Sequence, residues 1–246
     1  MRYLITISYD GTNFSGYQKQ PRERTVQTEL EKALKEINAG KKVEVHASGR
    51  TDAGVHAMAA RVHFDLDINI TCEKLSKGLN SLLPEDIFVR RVEEVPNNFH
   101  ARFSAIGKEY IYKLNMGEYN PLERNLVYQH NEKLDVVEME RAMKYLEGTH
   151  NFKSFTKTDE EKEDYVRTIS QTNLIRDSKD VNKITFVFVG TGFLRYMVRN
   201  MVGTLIMVGQ GKIKSEEIIE ILKKENRTFA GKTAKPEGLY LKNVFY

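Results

Sequence analysis

"VEVHASGRTDAGVHAMAARVHFDL", residues 43–66, holds two strands and the turn between them. In its last third, Ala60, Val62, Phe64 and Leu66 fall on one face and Arg61, His63 and Asp65 on the other. That period of two marks a half-buried strand with a polar face. "VEVHAS" (43–48) reads as a second strand. Between them, "SGRTDAGVHA" (48–57) is too poor in apolar residues to be core. It sets Arg50 two residues before Asp52 on a glycine-bracketed turn.

Working outward, each flank supplies a strand and a helix. "YLITISYD" (3–10) is β-branched and aromatic and runs into the turn residues "DGTN". After Thr25, residues Val26, Leu30, Ala33, Leu34 and Ile37 recur at helical spacing, with Gly40 as a stop. Downstream, "CEKLSKGLNSLL" (72–83) predicts a helix ended by Pro84, and "IFVRRVEEV" (87–95) a strand. The order is β-α-β-β-α-β, a ferredoxin-like unit.

The remainder follows the same plan. "KEYIYKLN" (108–115), "RTISQTNLIRD" (167–177), "ITFVFVG" (184–190) and "GLYLKNVFY" (238–246) read as strands. Asp135 and Glu138 form a capping-box pattern ahead of Met139, Ala142, Met143 and Leu146, with Gly148 beyond. "LRYMVRNMVGTLIMVG" (194–209) and "SEEIIEILKK" (215–224) predict two further helices. The expected fold is α+β: two ferredoxin-like halves, residues 1–104 and 105–246, forming one extended antiparallel sheet with helices on one face. The sequence shows no repeat, so the duplication is one of topology. "TKTDEEKEDY" (156–165) reads as a solvated loop.

Composition narrows the partners. The chain has 246 residues and 40% hydrophobic content, enough for a substantial core. A net charge of +4 permits a polyanionic partner without demanding one. Cys72 is the single cysteine, which suits a reducing, cytoplasmic setting. The most apolar stretch, "YMVRNMVGTLIMVG" (196–209), carries Arg199, so no membrane span is expected. The six histidines lack zinc-ligand spacing, and neither "GTGFLR" nor "VGQGK" completes a phosphate or dinucleotide motif, so no metal or cofactor is expected.

The chemistry concentrates in three places. A guanidinium beside Asp52 would hold it ionised, and an ionised carboxylate can act as a nucleophile; the plainer reading is a turn in which Asp52 caps the next segment. "FHARFSAIGKEYIYKL" (99–114) interleaves Arg102, Lys108, Tyr110 and Tyr112. Cations and aromatics in alternation suit stacking a base and holding its phosphate, although Tyr112 reads as core. Arg199 lies on a largely apolar helix face, where an unpaired charge is costly, and Asp52 is its economical partner.

Taken together, "YDGTNFSGYQKQ" (9–20), "TVQTELEKAL" (25–34), "SGRTDAGVHA", "NFHARFSAIGKEYIYKL" (98–114), "GFLRYMVRNMVG" (192–203) and "GLYL" (238–241) resemble, in order, the motifs of the TruA family of tRNA pseudouridine synthases. "GRTDAGVHA" is highly specific; the shorter motifs are supportive. The resemblance implies the pseudouridine synthase fold and isomerisation of uridines 38, 39 and 40 in the tRNA anticodon stem-loop, without cofactor or metal, by a homodimer. It implies that Asp52 is the nucleophile, that Arg50 displaces the base, that Tyr110 contacts the substrate and that Arg199 pairs with the catalytic aspartate. Lys19, Arg22, Arg24, Arg102 and Lys108 are the candidate phosphate contacts. Tyr17, Tyr196 and Lys235 depart from the residues the family often carries there. The alternatives are a pseudouridine synthase with another RNA target, a non-catalytic RNA-binding protein on the same scaffold, and a carboxylate hydrolase. The last would want two carboxylates where this motif supplies one.

Overall fold

A computed structural model describes residues 1–157 and 164–246; the middle of the charged run, residues 158–163, lies outside the described residues. The fold is mixed α+β. It divides into two compact units, Met1–Ile106 with Tyr240–Tyr246, and Gly107–Leu239.

The first unit runs β1 (Arg2–Tyr9), α1 (Val26–Ile37), β2 (His46–Ala47), β3 (His56–Asp65), α2 (Cys72–Leu82) and β4 (Ile87–Glu94), and takes its last strand, β10 (Leu239–Phe245), from the far end of the chain. The sheet order is β4-β1-β3-β10, with β2 on β3. Tyr3, Ile5 and Ile7 of β1 are fully buried, as are Val26, Leu30 and Leu34 of α1 and Leu75 and Leu79 of α2. The Thr25 and Thr71 side chains cap the two helices by accepting from Thr28 N and Lys74 N.

Two expectations change here. "VEVHAS" contributes only His46–Ala47 to the sheet, because after Ser48 N donates to Arg61 O (2.8 Å) the chain leaves the ladder for the glycine turn. His63, assigned to a polar face, is 2% exposed. Its ring stacks on His46 at 4.9 Å and meets the edge of His100 at 4.6 Å, and its Nδ1 accepts from Ala101 N at 3.1 Å. β10 pairs with β3 in parallel, Tyr240 opposite His56 and Leu241 opposite Ala57. Those residues, grouped with the second half on sequence, therefore lie beside the strand that leaves the Asp52 turn.

The second unit contains β5 (Gly107–Asn115), β6 (Tyr128–Gln129), α3 (Val136–Lys144), β7 (Gly148–Asn151), β8 (Val166–Arg176), β9 (Lys183–Gly190), α4 (Met197–Gly209) and α5 (Glu217–Lys224). Its strands order as β5-β9-β8-β7, with β6 parallel on β5. β6 and β7 are too short to leave a periodic signal. The capping box is half formed: Asp135 accepts from Glu138 N (3.0 Å), but Asp135 N donates to Gly209 O (2.8 Å). Glu138 turns instead to Ser215 Oγ at 2.9 Å, so the other half of the box gives way to ties with α4 and Ser215. Among the described residues, no helix is long and apolar enough to cross a membrane.

α4 starts at Met197 because Tyr196 sits in the left-handed region (φ 61°). Nearly every α4 residue is buried, and Gly203 is where the loop after Phe229 crosses it. A β-carbon at Gly203 would lie 1.8 Å from Lys232 O, and one at Gly231 would lie 2.5 Å from Gly203 O. Gly203→Ala should therefore destabilise the protein by roughly 1–3 kcal/mol through overpacking, despite a helix-propensity gain of about 1 kcal/mol, as read from the urea midpoint. His63 gives a second prediction. Burial, then the neighbouring His100 and His46, lower its pKa from 6.5 to about 4. The unfolded chain then binds the proton first, so stability should be level above pH about 6.5 and fall as pH drops toward about 4, by up to about 3 kcal/mol. Urea midpoints across that window should show the fall, and His63→Gln should flatten it.

Candidate active site

In the first unit, Asp52 sits on a turn whose shape is set by backbone. Val55 N donates to Asp52 O (3.1 Å), with Gly54 third in the turn at φ 75°, a conformation a type II turn reserves for glycine. The turn leads into β3, so the capping reading of Asp52 does not hold: no helix follows it. The segment after β1 wraps the turn from behind. Tyr17 N donates to Thr51 O (3.1 Å) and Gly54 N to Phe14 O (3.2 Å). The approach is tight enough to require glycine twice. A β-carbon at Gly11 would stand 2.1 Å from Val55 O, and one at Gly16, itself at φ 98°, would stand 2.9 Å from Thr51 O. Below the turn, the buried Tyr9 hydroxyl and Thr51 Oγ1 are hydrogen-bonded at 2.8 Å.

His56 closes this half of the site. Its Nδ1 lies 3.0 Å from Gly11 N, which donates to it, and 3.1 Å from Asp10 Oδ1. The ring stacks on Tyr240 at 4.6 Å. Asp52 is half-buried and Arg50 is exposed. Among the described residues Arg50 has no hydrogen-bond or ion-pair partner, so its guanidinium is available to a ligand.

The candidate phosphate contacts divide by how far they are already committed. Arg24 makes a two-pronged pair with Asp86 (2.7 and 2.9 Å) and lies 4.2 Å over the Phe14 ring. It braces the loop that wraps the turn. Lys19 pairs with Glu31 at 2.9 Å. Arg22 is exposed in a left-handed conformation (φ 63°), and Arg102 is exposed beside Phe103. Lys108 is half-buried on β5.

In the second unit, Tyr110 of β5 is 8% exposed and meets the edge of Phe193 at 5.0 Å. Tyr112 is core, as its position suggested: it is fully buried and its hydroxyl donates to Lys235 O at 2.8 Å. Arg199 is locked at both ends. Its Nε donates to Ala234 O (2.8 Å), its carbonyl accepts from Ala234 N (3.1 Å), and its guanidinium lies 5.1 Å over Tyr196. Asn200, one residue on, accepts from Arg227 (3.0 Å) and Thr233 (2.7 Å), and so holds the same loop. Nearby, burial raises the pKa of Glu237, against the opposing pull of Lys235 and Arg199.

Sequence reasoning missed the supports: Tyr9, Thr51, Asn200 and the paired glycines. The glycines in "YDGTNFSGY" were the available signal. Among the described residues no group of three His, Cys, Asp or Glu side chains is placed to hold a metal ion. Tyr9→Phe should leave Thr51 Oγ1 without its buried partner and cost about 1 kcal/mol, measurable as a lower urea midpoint at unchanged slope.

Comparison with known proteins bears on the whole chain. The family model described as tRNA pseudouridine synthase matches residues 5–104 and 142–246. The tRNA pseudouridine synthase A of Anoxybacillus flavithermus is 49% identical over 245 residues, covering 100% of this chain and 98% of the relative. The protein of that name from Streptococcus mutans is 45% identical, covering 100% and 99%. The tRNA pseudouridine synthase A 1 of Bacillus cereus is 46% identical, covering 100% and 98%.

Proposed function

Because this chain belongs to the tRNA pseudouridine synthase family, whose members are isomerases, we propose that it converts uridines 38, 39 and 40 of the anticodon stem-loop to pseudouridine with Asp52 as nucleophile. The observation that carries the assignment is the Asp52 turn. It has a half-buried carboxylate and an exposed guanidinium two residues apart, on backbone packed closely against the chain at Gly11 and Gly16.

The chemistry follows from where a stem uridine is. Its glycosidic bond is out of reach until the nucleotide is extruded, at a cost of a few kcal/mol. Arg50 is exposed and fills the vacated space with its hydrogen-bond donors. Asp52 then forms a bond with the extruded nucleotide, at carbon 6 of uracil or at the anomeric carbon. The bond from the sugar to nitrogen 1 breaks, the base rotates, and carbon 5 is joined to the sugar. An Asp52 bond at the anomeric carbon is displaced as carbon 5 joins the sugar, after which the carbon-5 proton leaves to solvent; an Asp52 bond at carbon 6 is instead eliminated as that proton leaves. Tyr110 stacks on the base during the exchange. Arg199, fixed by Ala234, serves Asp52 by favouring its ionised form. Arg22, Arg102 and Lys108 hold phosphates, with Lys19 held in reserve by Glu31. Arg24 acts on the loop through Asp86. In this reading the protein works as a cytoplasmic homodimer and needs neither metal nor cofactor.

The test is tritium release from tRNA transcripts labelled at carbon 5 of uracil. Wild type should release tritium, and Asp52→Asn should lose at least about 10³-fold in rate while binding tRNA as wild type does. Release by the variant at the wild-type rate would move the nucleophile elsewhere. Affinity should also fall steeply with salt, as phosphate contacts demand.

A further inference from the structure

The segment from Phe99 to Ile106 is hydrogen-bonded on nearly every side, yet it presents large apolar groups to solvent. Ser104 N donates to His100 O (2.8 Å), and His100 N donates to Ser104 Oγ (3.1 Å). His100 Nδ1 accepts from Arg102 N (3.1 Å) and Phe103 N (3.4 Å). Ala101, fully buried, donates to His63 Nδ1 and accepts from the Tyr246 hydroxyl at 2.8 Å. Ile106 N donates to Phe245 O at 2.9 Å. From this pinned turn Phe103 stands 77% exposed and Ile106 69% exposed.

The exposed ring is supported from one side. Phe103 lies 4.4 Å from the His100 ring, which packs in turn on His63 and His46. Arg102 sits beside it, its guanidinium carbon 5.8 Å from the Phe103 centroid. Among the described residues the Arg102 side chain has no hydrogen bond or ion pair. A supported aromatic ring next to an uncommitted cation is the arrangement that stacks a base and holds its phosphate. Because the turn is already ordered, a ligand would not have to order it again. A protein partner is the poorer fit: one ring and one isoleucine fall far short of the roughly 800 Å² per side of a standard interface, and among the described residues Arg102 has no acidic partner.

We infer that Phe103 is a stacking platform for an unpaired nucleotide of the tRNA other than the uridine that reacts, with Arg102 on that nucleotide's phosphate. The inference rests on the tRNA reading above and adds a contact to it. It separates the residues that carry out the exchange from those that hold the surrounding loop.

Binding of a fluorescently labelled tRNA transcript to the full chain tests it, with tritium release measured in parallel. Phe103→Ala should weaken binding by roughly 5- to 100-fold, the range found for loss of one stacked base, without changing the slope of affinity against salt. Phe103→Tyr, which keeps the ring, should bind within about twofold of wild type by the same stacking argument. Arg102→Ala should reduce the salt slope by close to one contact. All variants should keep the wild-type thermal unfolding, because both side chains are exposed. Binding by Phe103→Ala equal to wild type overturns the inference, as does equal weakening by alanine and tyrosine. A changed sedimentation coefficient with unaltered RNA affinity overturns it in favour of a protein contact. If wild type itself neither binds nor releases tritium, the tRNA reading fails first. If wild type is active and Phe103→Ala is indistinguishable from it, only the platform fails.

Discussion

The turn that carries Asp52 has no room behind it. Gly11 and Gly16 let the chain after β1 run so close to Val55 and Thr51 that any side chain at either place would strike a carbonyl. Tyr17, Phe14 and Thr51 then share hydrogen bonds across the contact. The bonds that shape this turn use backbone groups and Thr51. The turn is thus held in one shape by main-chain contacts on both sides of Asp52. Preorganisation of this kind lets a charged group act without first being brought into place.

The second unit reaches rigidity by a similar route with different parts. Arg199 belongs to a helix buried along most of its length, where an arginine is expensive to keep. Its Nε and its carbonyl both bind Ala234, so the guanidinium is aimed by a loop rather than by the helix alone. That loop is held against α4 by the interlocked Gly203 and Gly231 and by Asn200. Both units thus place glycine where one backbone must press on another, and a charged side chain a few residues away.

Much of this could be read from the sequence, for identifiable reasons. The strands of the first unit announced themselves because one face of each is buried, which imposes a period of two. Arg50 and Asp52 stood out because a glycine-rich turn with two opposite charges has little structural reason to exist. The burial of His63 was not legible, since the rings that cover it come from His46 and His100, distant in sequence. Nor was the difference between Arg24 and Arg22: both read as free cations, and the two-pronged pair that commits Arg24 comes from Asp86, some sixty residues on, beside a longer contact with Glu29. Tyr9 was hidden for a related reason. A tyrosine at the end of a core strand gives no sign that its hydroxyl reaches Thr51.

The parallel ladder between β10 and β3 has a consequence for how the molecule is made. Residues 240–246 complete the unit that holds Asp52, and Tyr240 lies against His56 at the exit of the turn. A ribosome produces that strand only after the whole of 107–239. The first unit therefore waits, one strand short, while the second is synthesised. Its edge at β3 stays open during that interval, and pairing there is a long-range closure, the slowest kind to find. Order of synthesis thus becomes a safeguard: a prematurely terminated chain would carry the Asp52 turn but lack the strand that seals it.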